Sequence, residues 1–74
     1  MDLLQLEHFL AVVEEGTFTR AAERMSRTQP AVSQSIKKLE EEIGGQLFAR
    51  DLHDVSLTEA GKTLLEYARK MVRA

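Results

Sequence analysis

Apolar residues recur at helical spacing through most of this chain, and the phase of the repeat breaks at a few places. Leu3, Leu6, Phe9, Leu10 and Val13 fall on one face and predict a helix from Leu3 to about Glu15. Gly16 ends it, because glycine accepts the left-handed conformation that closes a helix. Thr17 then caps a short second helix whose buried stripe is Phe18, Ala21, Ala22 and Met25. Ala21 and Ala22 are small enough for two helices to cross steeply with their backbones close. Ser26-Arg27-Thr28 forms the turn. Thr28 caps a third helix with Pro30 in its first turn, where a missing N–H costs little. Val32, Ile36, Leu39 and Ile43 make a narrow apolar stripe, and Gly44-Gly45 ends this helix.

The period then changes. Leu47-Phe48 is a short apolar patch, Val55-Ser56-Leu57 alternates, and Asp51-Leu52-His53-Asp54 between them is mostly polar. This predicts a small β-hairpin. Its tip lacks the glycine of a tight primed turn, so a longer loop is expected. Thr58 caps a last helix, about 24 Å long if it is regular from Glu59 to Ala74. Its apolar stripe is Leu64, Leu65, Ala68, Met71 and Val72. That stripe can complete the monomer core or seal a dimer, and the length of the helix favours the dimer.

A short helix, a tight turn and a second helix that shows small polar side chains outward is the build of a helix-turn-helix. The fold expected is mainly α: a winged helix-turn-helix of three helices plus a hairpin wing over residues 1–57, followed by a linker or dimerisation helix over residues 58–74.

Composition fits one small domain, with 74 residues, 43% hydrophobic and 30% charged. There are no cysteines, which excludes disulfides and thiolate metal sites. Met1-Asp2 opens acidic with no long apolar run after it, so neither a signal peptide nor a membrane span is expected, and the cytoplasm is the expected location. No cofactor is expected.

The net charge of −2 runs against nucleic-acid binding until its distribution is considered. Residues 1–17 carry net −4 and residues 39–49 net −3, while residues 18–38 carry net +4 and residues 50–74 net +1. With screening over about 8 Å, a phosphate feels the nearest segment more than the whole molecule. Positive charge is therefore concentrated on the helix-turn-helix.

That motif assigns definite tasks. The Gln29 amide suits a bidentate pair to adenine. Ser33 lies one turn on, and the neighbouring Gln34 can read a second base. Lys37 and Lys38 reach phosphates, as does Arg20 from the preceding helix. Backbone N–H groups at Thr28 and Gln29, with the helix dipole, favour a phosphate as well. Arg50 and His53 in the wing can contact the backbone or the minor groove. No catalytic or metal set is seen: His8 and His53 sit in different elements, and neighbouring carboxylates in Glu40-Glu41-Glu42 point in different directions. His8 is expected as a surface or half-buried side chain, and the three glutamates as a solvated face balancing Lys37 and Lys38. The rival reading is a winged helix used for contact with another protein, since the fold is not committed to DNA.

The segments FTRAAERM, QPAVSQ followed by IKKLEEEIG, LF-A-R and LTEAG occur in an order and spacing that resembles the N-terminal DNA-binding domain of LysR-type transcriptional regulators. The resemblance covers essentially the whole chain. It implies a winged helix-turn-helix and a linker helix through which two copies pair on double-stranded DNA. It also implies a larger effector-binding domain after this one, which senses a small molecule and assembles tetramers. It places Gln29, Pro30, Ser33 and Gln34 at the DNA and Arg50 in the wing. The family usually has an apolar residue at 27 and often serine at 28, where this chain has Arg27 and Thr28. Many relatives carry arginine at 34, and glycine and arginine are common around 52–54. Leu52-His53-Asp54 departs from that, and Asp51 and Asp54 would repel DNA.

Overall fold

The computed structural model describes residues 1–50 and 55–73; of Arg50 and Arg73 only the backbone is described. The order is α1 (Leu3–Glu15), α2 (Phe18–Met25), α3 (Gln29–Ile43), β1 (Phe48–Arg50), β2 (Val55–Leu57) and α4 (Glu59–Arg73). The two strands form an antiparallel hairpin in which Phe48 faces Leu57, Ala49 faces Ser56 and Arg50 faces Val55. The expected loop at 51–54, with His53, lies outside the described residues, as does the Arg50 side chain.

The helix ends are set by local chemistry. The Asp2 carboxylate accepts the Gln5 N–H at 2.8 Å, and the Gln5 side chain returns to the Asp2 N–H at 3.1 Å, a reciprocal capping box. Thr17, Thr28 and Thr58 each accept an N–H three residues on, at 3.0, 3.2 and 3.1 Å. Each such cap contributes about 1 kcal/mol. Gly16 and Gly44 close α1 and α3 at φ 84° and 85°. Ser26 closes α2 at φ 55°, a left-handed conformation that costs a non-glycine residue about 1–2 kcal/mol.

One core joins all the elements. Phe9, Val12, Val32, Ile36, Leu39 and Leu47 are the largest fully buried side chains. Burying each contributes roughly 1.5–3 kcal/mol. Phe48 stands against Phe9 with ring centroids 5.4 Å apart and meets Phe18 edge-on at 5.8 Å, so the wing is fastened to α1 and α2. Phe18 and Met25 are half-buried against the same core. Gly61 is the residue where α4 crosses the start of the wing. A Cβ there would run into the Leu47 carbonyl and lie 2.9 Å from the Leu57 side chain.

Four expectations need correction. Leu3 is 53% exposed, whereas His8, Ala11 and Val12 are buried, because α2, α3 and α4 all pack on α1 and cover a wider arc than one stripe. His8 is 2% exposed and is no surface residue. Glu40 belongs to no solvated face: its carboxylate is buried and accepts the Leu47 N–H at 2.8 Å. Finally, Leu64 and Ala68 are 7% and 0% exposed in the core of the same chain, with Leu65 and Val72 half-buried beside them. They are unavailable as a free dimer face because α4 folds back onto α1 and β2.

Candidate nucleic-acid interface

The candidate residues converge on the outer face of α3. Val32, Ile36 and Leu39 hold one side of this helix in the core, with exposures of 0, 1 and 0%. Helical geometry then turns Pro30, Gln34 and Lys37 to the opposite side. Gln29, Pro30, Gln34, Lys37 and Lys38 are exposed and Ser33 is half-buried at the edge of the face. The face is rigid, since α3 is fixed by its cap at Thr28, by the core stripe and by the buried Glu40–Leu47 bond at its far end.

Gln29 is pre-oriented. Its Nε2 donates to the Ser33 Oγ at 3.1 Å, one turn along the helix. One amide hydrogen is engaged, which leaves the second and the Oε1 available for the donor–acceptor pair that adenine presents. Ser33 therefore serves first as a partner of Gln29, a relationship that spacing alone does not assign. The Thr28 hydroxyl accepts the Ala31 N–H, and its own hydrogen can still donate to a phosphate oxygen.

The positive block sorts into two groups. Arg24 donates to Glu14 at 2.8 Å and to Glu15 at 3.4 Å, which ties it to the end of α1. The hydrogen bond it donates to Glu14 holds its guanidinium even more firmly protonated than usual. Arg20, Arg27, Lys37 and Lys38 are exposed and make no ion pair among the described residues. Lys37 and Lys38 stand on α3 itself, and Arg27 shares a cleft with Gln34 and Lys38.

A second surface is apolar. Tyr67 and Met71, one turn apart on α4, are each 51% exposed. Together with Met1, Leu3 and Ile43 they edge an open groove of about 460 Å³ and a smaller hollow of about 150 Å³. Met71 was expected on such a face; Tyr67 was not, since a tyrosine outside the main stripe gives no periodic signal. No cluster of His, Asp or Glu among the described residues can hold a metal ion, and no helix there is long and apolar enough to cross a membrane.

The family model described as the bacterial regulatory helix-turn-helix protein, lysR family, matches residues 3–62. The chain belongs to that family. This LysR-family chain is 49% identical over 71 residues to the HTH-type transcriptional regulator XapR of Escherichia coli, covering 96% of the chain and 24% of XapR. It is 49% identical over 72 residues to the regulator BudR of Klebsiella aerogenes, covering 97% of the chain and 50% of BudR. The chain thus spans between about a quarter and a half of these relatives. Among solved structures, the DNA-binding domain of BenM in complex with catB site 1 DNA superimposes with a TM-score of 0.94 at 42% identity, over 99% of this chain and 82% of that one. The corresponding CbnR–DNA complex gives 0.93 at 36% identity, over 99% and 84%. The mainly helical winged helix-turn-helix architecture is that of the LysR DNA-binding domains. The family is one of transcriptional regulators and not of enzymes.

Proposed function

We propose that this chain is the sequence-specific double-stranded DNA-binding domain of a bacterial transcription regulator. Helix α3, residues 29–43, enters the major groove, whose width of about 12 Å admits one helix. The observation that carries this reading is the α3 face itself. Gln29 is held ready by Ser33, Gln34 follows Ser33 on the helix, and Arg27, Lys37 and Lys38 add positive charge that no ion pair among the described residues takes up. Gln29, Pro30, Ser33 and Gln34 form the base-reading surface. Arg20, Thr28, Lys37 and Lys38 contact the phosphates, and Arg50 and His53 provide the wing contacts.

Two copies bind an interrupted palindrome with half-sites on one face of the duplex, about 34 Å or a multiple apart. They pair through α4, with Met71 and Tyr67 at the seam. In the full-length regulator a further domain binds a small-molecule effector and extends the assembly to a tetramer, and the protein works in the cytoplasm on the nucleoid. Selection of bound sites from a random duplex pool tests the reading. A two-fold symmetric motif and binding that weakens steeply with salt are expected. Failure to retain any duplex at low salt would leave the winged helix as a protein-contact module.

A further inference from the structure

Between α1 and α3 lies a polar cleft of about 230 Å³, lined among others by Asp2, His8, Arg27, Gln34, Ser35 and Lys38. His8 is 2% exposed there, and neither of its ring nitrogens has a hydrogen-bond partner. Such a group is costly, since a buried polar atom without a partner destabilises a fold by about 1–3 kcal/mol. The cleft therefore offers a buried imidazole, two cations, an amide and a hydroxyl, with neither cation committed to an ion pair among the described residues. Its one carboxylate, Asp2, is already engaged as the cap of α1, accepting the Gln5 N–H at 2.8 Å.

We propose that this cleft binds one DNA backbone phosphate, held between Arg27 and Lys38 above the His8 ring. The inference rests on the DNA reading of α3 given above. Gln34 and Lys38 are one turn apart on α3 and form the wall that the cleft shares with the base-reading face. A helix seated in the major groove has a sugar–phosphate strand along each flank, and this flank is the α1 side. A phosphodiester is the anion that arrives there, and the donors present suit its oxygens.

A consequence concerns the proton on His8. Burial, and then the charge of Arg27, hold the imidazole below its ordinary value of 6.5, against weaker opposing effects of Glu7 and Asp2. Lys38, from α3, adds a further positive charge at the cleft. A phosphate paired with Arg27 cancels that repulsion and attracts an imidazolium. His8 then takes a proton from solvent as the duplex binds, and an imidazole N–H gains an acceptor. DNA affinity rises as pH falls toward the lower part of the range, about pH 5 to 8, in which histidine changes charge.

The test compares the chain with Arg27→Gln and Lys38→Gln, both exposed positions, on a short duplex carrying the selected site. The two substitutions together are expected to lower the slope of log affinity against log salt by about 0.9, the value of one phosphate contact, and each alone by part of that. Nitrogen NMR of the His8 ring is expected to show its titration midpoint moving up on addition of duplex to the unmodified chain, with a smaller movement in Arg27→Gln. Unchanged salt slopes, together with a His8 midpoint indifferent to duplex, would overturn the proposal while duplex binding itself stood. A third arm replaces duplex by inorganic phosphate. A His8 response equal to that with duplex, and no loss of duplex affinity in Arg27→Gln, would assign the cleft to a free anion and overturn the DNA contact.

Discussion

The Glu40 carboxylate accepts the Leu47 N–H at 2.8 Å in a buried bond that spans the Gly44-Gly45 turn. It ties the last turn of α3 to the residue before the wing, and so couples the position of the hairpin to that of the helix. Glu40→Ala would leave the Leu47 N–H buried and unpaired, at a cost of about 1–3 kcal/mol. The expected result is a lower urea midpoint with an unchanged slope. Glu40→Gln keeps an acceptor oxygen and is expected to lose less. An alanine variant with the wild-type midpoint would show that the bond contributes nothing net.

His8 makes stability depend on pH with a definite sign. Its folded value lies below 6.5, chiefly through burial and next through Arg27, while the unfolded chain titrates near 6.5. Above that value both states are neutral and the full stability is present. As pH falls below it, the unfolded state takes up a proton that the folded state refuses. Stability then declines by at most about 1.4 kcal/mol per pH unit and levels off once folded His8 is protonated. Urea unfolding of the wild type and of His8→Phe, without duplex, at a series of pH values isolates the effect. Parallel curves through this window would refute the assignment.

Several boundaries of the fold were legible because they depend on local chemistry. Gly16, Thr17, Thr28, Gly44 and Thr58 all act where their residue types predict. The face of α3 was legible too, since Val32, Ile36 and Leu39 fix its phase and Gln34 and Lys37 follow by subtraction. Periodicity cannot say which neighbour covers a stripe. Leu64 and Ala68 therefore fit either core or interface, with the helix length favouring the interface, until α4 is seen against α1. The burial of His8 and Glu40 escapes the sequence pattern for a related reason. Each is a polar residue on the margin of an apolar stripe, and only packing decides whether a margin is wet. The cleft between α1 and α3 was hidden altogether, because Asp2, Arg27 and Lys38 come from three separate segments.

The Gln29–Ser33 bond separates two ways of losing sequence preference. Gln29→Ala removes the amide proposed to read a base and is expected to cost about 1–3 kcal/mol on the selected site, with relaxed preference at one base pair. Ser33→Ala leaves the amide in place but frees it to rotate. It is expected to relax preference at the same base pair by a smaller amount. Repeating the random-pool selection with both variants checks this. Preference lost at different base pairs would mean that Ser33 reads a base of its own.

Tyr67 and Met71 offer the cleanest test of pairing, because they are half-exposed while their neighbour Ala68 is fully buried. A glutamate at an exposed position usually changes stability by no more than about 0.5 kcal/mol, whereas an unpaired buried charge is severe. Tyr67→Glu with Met71→Glu is therefore expected to leave the chain folded but monomeric in sedimentation equilibrium. Its affinity for a single half-site should be unchanged. On the full palindrome the loss should reach about 10²–10⁴-fold, since each half-site would no longer raise the effective concentration of the other. Ala68→Glu, by contrast, should unfold the monomer. A double variant that still sediments as a dimer would move the seam away from this face of α4.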